Sequence, residues 1–423
     1  MKYPFYSLLA SIACSFLIAP VLAAQDYVGH DRCQNCHSEV YDHYINSGHP
    51  YKLNKVENGV PPEYPWSVLP DTPVGYTWND VSYVIGGFGW KARFVDTDGY
   101  IITGEAVQYN LATEAWVGYH ADEAPGTKPY DCGKCHTTGW QTFEENGGFR
   151  QDDLPGMAGT FAAPGVTCEA CHGPGSDHVA GPSKNNILVD TSKELCGQCH
   201  TRDPDRRIAA SGGFIKHHEQ YDELVNSPHR FMDCGRCHEP HKSVIYELGG
   251  LLDKDNCTSC HSGIEIALPA KQGMSCTSCH MPLAAKSAVK TGVDGLLGDI
   301  HSHSFKLNTD YNQPMFTEDG KFVELDAEGD AVIKVEFACL DCHDGVTASE
   351  RDDEFFYQTA ASIHNSETWG GYAVNDGLVD TGDWMGWLYV GDAPWIFSYS
   401  LSGWIYTGEP IMVDPGSWVY FSK

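Results

Sequence analysis

The sequence has almost no cysteine outside one repeated motif. All but one of its 17 cysteines fall in a single repeated motif, and the exception, Cys14, lies in an apolar leader. No cysteine of the mature chain is left for a disulfide framework or a thiolate nucleophile. Positive charge is scarce too, since 27 Lys and Arg stand against 57 Asp and Glu, a formal net charge of −30. This balance excludes nucleic acid as a natural partner, argues against anionic lipid, and favours metal cations, mineral surfaces and basic redox proteins.

Long apolar runs are absent after the leader, so the sequence predicts no transmembrane segment. The leader itself has a basic start at Lys2, an apolar stretch over residues 8–22, and small residues at Ala23 and Ala24. Residues 1–24 therefore read as a secretory signal peptide. We expect an exported protein, extracellular or at the cell surface, with the periplasm as the alternative.

The motif that takes up the cysteines is Cys-x-x-Cys-His, and it occurs eight times. Numbered one to eight along the chain, its cysteine pairs are Cys33 and Cys36, Cys132 and Cys135, Cys168 and Cys171, Cys196 and Cys199, Cys234 and Cys237, Cys257 and Cys260, Cys276 and Cys279, and Cys339 and Cys342. The histidines that follow are His37, His136, His172, His200, His238, His261, His280 and His343. This is the attachment sequence of c-type haem: two thiols form thioethers with the haem vinyl groups, and the adjacent imidazole becomes the proximal iron ligand. One copy alone could be a redox or zinc-binding pair, but eight copies predict eight covalently attached haems c.

Haems at this density must supply much of the apolar core. We expect a mostly irregular chain, with short helices and a few β-hairpins wrapped around eight haems; 44 Gly and 23 Pro agree with this. The patterns predict a helix at residues 40–45, strands at 81–85, 90–95 and 100–103 with a turn at Asp98-Gly99, and a second hairpin region at 315–337.

The last part of the chain has a different composition. Residues 369–423 contain no Cys or His and repeat a Trp-aliphatic-aromatic pattern, in Trp387-Leu-Tyr389, Trp395-Ile-Phe397, Trp404-Ile-Tyr406 and Trp418-Val-Tyr420. The period of two predicts short antiparallel strands and a small all-β aromatic module at 366–423. It is either a packed appendage or an element for attachment, sorting or self-assembly.

The second axial ligand decides between an electron carrier and a catalyst. Of the 20 histidines, eight follow motif cysteines, so twelve remain for the distal positions. The candidates are His49, His178, His217, His218, His229, His241, His303 and His364, with His30, His43, His120 and His301 in reserve. These numbers predict bis-histidine iron throughout, low reduction potentials, and electron hopping between haems with no bond-making step.

Several segments outside the haem motifs are distinctive. They include Tyr83-Val-Ile-Gly-Gly-Phe-Gly-Trp-Lys-Ala-Arg-Phe94, Asp98-Gly-Tyr-Ile-Ile-Thr-Gly104, Gln108-Tyr-Asn110, Cys135-His-Thr-Thr-Gly139 and Gly165-Val-Thr-Cys-Glu-Ala-Cys-His-Gly-Pro-Gly175. Over residues 27–230 the chain resembles the multihaem cytochromes c that include tetrahaem, extracellular, filament-forming members. The resemblance implies stacked and T-shaped haem pairs, bis-histidine ligation and subunits polymerised end to end. At the matching positions of this sequence, the resemblance implies that His37, His136, His172 and His200 are proximal haem ligands. It implies His49, His178, His217 or His218, and His229 as candidates for the distal ligands.

On this basis we divide the mature chain into a tetrahaem module at 25–230, a second tetrahaem module at 231–365 and the aromatic module. The additional motifs put the subunit interface in doubt, and a neighbouring subunit could donate a distal histidine.

Three functions stay open. The first is a non-enzymatic electron conduit, an end-to-end homopolymer that serves redox proteins or extracellular metal or mineral acceptors. The second is an octahaem oxidoreductase of the hydroxylamine, nitrite or tetrathionate type with one open haem. Such reductases commonly carry Lys in place of a proximal His, and no Cys-x-x-Cys-Lys occurs here. The third is a monomeric periplasmic shuttle.

Overall fold

The computed structural model of the chain describes residues 26–252, 256–261, 264–266, 271–343, 356–357, 360, 363–364, 367–369, 372–375, 378–380, 385–392 and 395–406. The predicted signal peptide with Cys14 and the last aromatic copy, at Trp418, lie outside these residues. Within them, no helix is both long and apolar enough to cross a lipid bilayer.

The α-helices of the described residues are all short, and most carry a haem motif. They are α1 (His30–Gln34), α2 (Ser38–Tyr44), α3 (Gly133–His136), α4 (Cys168–His172), α5 (Ser176–Ala180), α6 (Lys193–Cys196), α7 (Gln220–Val225), α8 (Cys276–His280) and α9 (Val335–Cys339). Helices of seven residues or fewer are unstable alone in water, so tertiary contacts must hold them. The helix predicted at 40–45 corresponds to α2.

A five-stranded antiparallel sheet fills the segment between motifs one and two. Its strands, in spatial and chain order, are β1 (Leu53–Lys55), β2 (Val81–Gly86), β3 (Lys91–Asp96), β4 (Gly104–Asn110) and β5 (Ala115–Tyr119). Tyr83 and Val95 point to one buried cluster, and Val84 and Phe94 point to another on the opposite face. The sheet is therefore covered on both sides, and it is a core element of the fold.

The third strand predicted in this region is displaced. Residues 100–103 form only isolated bridges, and β4 begins at Gly104. The cause is Asp96, whose carboxylate accepts hydrogen bonds from the backbone N–H groups of Asp98 and Tyr100 and closes the turn. The chain after this turn pairs with residues 128 and 129, so that Ile101 N–H donates to the Lys128 carbonyl.

Smaller strand pairs connect distant parts of the chain. They are β6 (Thr137–Thr138) with β9 (Ala163–Pro164), β7 (Gln141–Thr142) with β8 (Gly159–Thr160), β10 (Ala210–Ser211) with β11 (Phe214–Lys216) and then β12 (Ala285–Lys286), and β13 (Lys306–Asn308) with β14 (Val332–Lys334). The β13–β14 pair is parallel. The hairpin predicted at 315–337 is thus reduced to single bridges, because β14 pairs with the earlier strand and α9 begins directly after it.

One hydrophobic core joins residues from both sides of position 230. Ile215 on β11, Ala285 on β12 and Ile333 on β14 are buried in the same cluster. The boundary between two tetrahaem modules at 230 and 231 stays a prediction, and this core shows how closely the two segments pack.

The aromatic repeat forms an antiparallel meander of six strands. They are β15 (Glu367–Trp369), β16 (Tyr372–Asn375), β17 (Leu378–Asp380), β18 (Trp387–Asp392), β19 (Trp395–Ser398) and β20 (Gly403–Tyr406). Leu388 and Ile396 are buried on one face, while Trp387, Trp395 and Trp404 each expose about half of their surface. The alternation thus gives the sheet an aromatic face in contact with solvent. A separate all-β module at 366–423 stays a prediction.

A buried carboxylate ties the start of the described chain to the third motif. Glu169 lies between Cys168 and Cys171 and is 4% exposed. It accepts hydrogen bonds of 2.8 Å from the backbone N–H groups of Val28, Gly29 and Gly175. Gly29 precedes the helix of motif one, and Gly175 precedes α5 with His178. One side chain therefore positions three segments.

We predict that Glu169→Ala lowers the free energy of unfolding by at least about 2 kcal/mol, because three N–H groups lose a charged acceptor. The measurement is guanidinium-induced unfolding of the haem-loaded protein, followed by far-ultraviolet circular dichroism. The matched control is Glu194→Ala: its side chain is 61% exposed beside motif four, and a change within about 0.5 kcal/mol is expected. Equal changes in the two variants would contradict the positioning role of Glu169.

Candidate haem-binding site

Each Cys-x-x-Cys-His motif folds as one helical turn. The backbone N–H of the motif histidine donates to the carbonyl of the first cysteine, at 2.9 Å for His37 and Cys33 and at 3.0 Å for His343 and Cys339. Residues three and four apart share one side of a turn, so the two thiols and the imidazole lie on the same side. All sixteen motif cysteines are free of disulfides. The turn therefore presents two thiols and one imidazole to the same space.

Thiols of different motifs lie close enough to change each other's pKa. A thiol of another motif is the largest cause that lowers the pKa to about 7 at Cys33 (beside Cys168), Cys135 (beside Cys199) and Cys196 (beside Cys234), which relates motifs one and three, two and four, and four and five. A weaker influence of one thiol on the pKa of another relates motifs three and four, five and six, six and seven, and seven and eight, in the pairs Cys171 and Cys196, Cys237 and Cys257, Cys257 and Cys276, and Cys279 and Cys342. All eight motifs thus have a thiol near that of another motif.

Seven motif histidines have a second imidazole at a constant spacing. The ring centroids are 5.8–6.4 Å apart in the pairs His37 and His178, His136 and His218, His172 and His241, His200 and His218, His238 and His303, His261 and His229, and His280 and His364. Two imidazoles that bind one metal ion through nitrogens about 2.0 Å from it have centroids about 6 Å apart. Six of the eight candidates for distal ligands thus face a motif histidine at this spacing. They are His178, His218, His229, His241, His303 and His364.

The other two candidates lie around motifs two and four. His218 is near both His136 and His200, and the His217 ring is 4.5 Å from that of His218. His217 Nε2 accepts a hydrogen bond of 2.8 Å from Arg202. Burial and the neighbouring Lys91 lower the pKa of His217 to about 2. His218 thus lies between two motif histidines, with His217 beside it.

His49 is kept neutral by its surroundings. Burial, with Lys52 and His200 nearby, lowers its pKa to about 3. A neutral imidazole has the lone pair that a metal requires.

The reserve histidines have other neighbours. His30 stacks near Tyr41 and Tyr44, and His120 pairs with Glu123 at 2.6 Å. His43 lies on α2, and His301 Nδ1 is 2.6 Å from the Met281 carbonyl. Across the described residues, none of the four forms a ring pair with a motif histidine.

Most of the paired rings are oriented through Nδ1. His136, His172 and His280 have this nitrogen 3.0, 2.7 and 2.8 Å from the backbone carbonyls of Lys52, Leu188 and Phe305. His178, His200, His241 and His364 use Ser183 O, Gln220 Oε1, Glu239 Oε1 and Glu265 O. A proton held on Nδ1 leaves Nε2 free to bind metal. Sequence analysis missed these partners, because backbone carbonyls leave no sequence signal.

A buried carboxylate on α7 also escaped sequence analysis. Glu223 accepts hydrogen bonds from the hydroxyl groups of Ser302 and Ser304 and from the backbone N–H of His303, which is 3.0 Å away. Burial raises the pKa of Glu223 to about 7. This carboxyl fixes the segment that holds His303 opposite His238. The sequence feature that could have revealed Glu223 is an acidic residue beside Leu224 in a short amphipathic stretch.

Motif eight differs from the others. The ring nearest to His343 in the described structure is that of Phe356, with centroids 6.0 Å apart. His343 Nε2 instead faces Lys271 Nζ at 3.2 Å.

These residues fit covalently attached haem. The described part of the chain has no group of three or more His, Cys, Asp and Glu side chains placed to hold a bare metal ion. It has opposed imidazole pairs beside thiol pairs that form no disulfide, which suits a metal whose other four bonds come from a macrocycle.

Comparison with known proteins agrees with this chemistry. Residues 108–173 match the family of cytochrome c554 and c-prime. A segment of 106 residues is 27% identical to the multihaem cytochrome MtrA of Shewanella baltica, over 23% of this chain and 28% of that protein. The chain thus spans about a quarter of this relative.

Solved structures were found with a similar fold at low identity. The octahaem sulfite reductase MccA of Wolinella succinogenes is 18% identical with a TM-score of 0.52, over 75% of this chain and 65% of that one. For the outer cell wall cytochrome OcwA the identity is 18% and the TM-score 0.49, over 79% of this chain and 86% of that one. By its motifs and by the match over residues 108–173, the chain is similar to multihaem cytochromes c, in which haem is bound covalently.

Proposed function

We propose that this protein transfers electrons through eight covalently attached haems and has no catalytic site of its own. The observation that carries the proposal is the proximity of motif thiols, which affect each other's pKa in the order one, three, four, five, six, seven and eight. A thiol of motif two has the same relation to one of motif four and lies beside this order. Cofactors attached at neighbouring sulfurs lie close enough to exchange electrons.

The protein's residues would hold the iron of a bound haem between two fixed ligands wherever two imidazoles face each other. Bound haem supplies the Fe(III)/Fe(II) couple. Opposed imidazoles, with Nδ1 atoms held by backbone carbonyls or side-chain oxygens, would keep the same ligands in both oxidation states. Bis-histidine ligation without methionine favours low reduction potential. At these motifs, a rigid ligand set with no free position suits transfer without chemistry.

Motif five is the junction of the proposed route. Its Cys234 lies near Cys196 of motif four, its Cys237 affects the pKa of Cys257 of motif six, and His241, three residues after the motif, faces His172 of motif three. His229, just before it, faces His261 of motif six. The first four motifs therefore communicate with the last three through this segment.

The setting that we propose is an extracellular filament of end-to-end copies that delivers electrons to redox proteins or to metal and mineral acceptors. The signal peptide predicted at residues 1–24 supports export, and the net charge of −30 favours cationic acceptors. The exposed aromatic face with Trp387, Trp395 and Trp404 offers a surface for self-assembly or attachment. Cryo-electron microscopy of the secreted, haem-staining material tests this: isolated particles would contradict the filament.

A second candidate function is an oxidoreductase with one open iron. The observation that favours it is His343, which faces Phe356 and Lys271 where the other motif histidines face an imidazole. The octahaem sulfite reductase with a similar fold makes this a reasonable alternative.

The haem number is tested by intact mass. We expect the mature protein to exceed its polypeptide mass by eight haems, and full reduction to take eight electrons. Replacing Cys132 and Cys135 by alanine should remove one haem and one electron. A smaller excess in the unmodified protein would contradict eight attached haems.

The junction is tested by photoinduced electron transfer. Val40→Cys, beside motif one and 40% exposed, carries a ruthenium photoreductant. His364→Met gives motif seven a methionine ligand, which raises its potential and makes it the electron trap. In this background Cys234→Ala/Cys237→Ala should slow reduction of the trap by at least about tenfold, equivalent to ~1.4 kcal/mol of added barrier.

The control removes motif two by Cys132→Ala/Cys135→Ala in the same background. It lies beside the route, so the rate should stay within about twofold. If the two deletions slow transfer equally, motif five is not the junction.

A further inference from the structure

Motif eight lacks the feature that the other seven motifs share. Each of their histidines faces a second imidazole at 5.8–6.4 Å. At that spacing from His343, the described residues place the phenyl ring of Phe356, which is 8% exposed. A phenyl ring has no lone pair and cannot bind iron. Among the described residues, a second imidazole does not face His343.

A lysine amine faces the imidazole of motif eight. Lys271 Nζ lies 3.2 Å from His343 Nε2, the ring nitrogen that binds iron in a c-type site. The same amine is close enough to Cys279 and Cys339 to influence both thiols electrostatically. Cys339 is the first thioether position of motif eight. The lysine thus lies between motifs seven and eight, beside the attachment point of the last haem.

The geometry of Lys271 suits an axial ligand. Two nitrogens on opposite sides of one metal, each about 2.0 Å from it, are about 4 Å apart. The two atoms are 3.2 Å apart here, so insertion of iron between them requires the amine to move by less than about 1 Å, which the flexible four-carbon stem of lysine allows. A neutral amine offers a lone pair as imidazole does.

We propose that Lys271 is the distal axial ligand of the haem attached at motif eight. This inference rests on the proposed function, since it needs the eighth haem to be present. It adds one site with histidine and lysine to the sites at which two histidines face each other. Motif eight is the last motif in the order of neighbouring thiols. Its iron would therefore have a different distal ligand from the irons before it. The lysine ligand also makes this iron six-coordinate, without an open position for substrate.

The test is electron paramagnetic resonance of the oxidised, fully loaded protein, with cyanide binding as the second readout. The unmodified protein should be entirely low-spin, with one haem in eight showing a histidine–amine signal, and should bind no cyanide. Lys271→Ala should convert one haem in eight to a high-spin form that binds cyanide. Lys271→His should restore a low-spin spectrum without the histidine–amine signal. The control is Lys321→Ala, an exposed lysine paired with Asp319, and it should change nothing.

Each contrary result has a distinct meaning. A high-spin, cyanide-binding haem in the unmodified protein would overturn the proposal and show an open iron at motif eight. A fully low-spin Lys271→Ala protein with eight haems would overturn it by showing that another group is the ligand. Intact mass is measured on every sample, so that a protein with fewer than eight haems counts against the proposed function and is recognised separately from a failure of Lys271 to bind.

Discussion

The rest of the structure depends on one geometric constraint, the helical turn that places two thiols and an imidazole on the same side. The hydrogen bond from the motif histidine to the first cysteine, such as that of His37 to Cys33, closes this turn with five residues. A turn so short has little stability of its own. Contacts with other segments must therefore hold the turn in place. Covalent attachment of haem at two cysteines would fix it further. This explains a chain whose described helices span seven residues or fewer.

Polar groups of low exposure position the motifs. Glu169 ties two N-terminal residues and the segment before His178 to motif three, and Glu223 holds the segment that presents His303. A buried carboxylate without partners would destabilise the fold, whereas one that accepts several hydrogen bonds fixes distant segments relative to each other. Both acids accept hydrogen bonds from segments that carry a paired histidine, His178 or His303, where a small shift would change the spacing of two imidazoles.

The route through the motifs is not the order of the chain. Motif three neighbours motif one, and motif four neighbours motifs two, three and five. From motif three onward, thiols of successive motifs are neighbours. The two ends of this order have different surroundings, because His37 of motif one faces an imidazole and His343 of motif eight faces a lysine. Such asymmetry suits a conductor that takes up electrons at one place and releases them at another.

The sequence by itself determined the cofactor chemistry, because Cys-x-x-Cys-His is a local pattern whose spacing contains its own geometry. It also predicted α2, β2 and β3 closely, and it supplied the set of histidines from which the facing rings come. Tertiary structure alone decided which histidine faces which. His241 reaches His172 of motif three although it follows motif five, and two motif histidines surround His218. It also decided that Lys271 meets His343, 72 residues further along. The physical reason is that a distal ligand is a long-range contact, set by packing of segments that no local pattern relates.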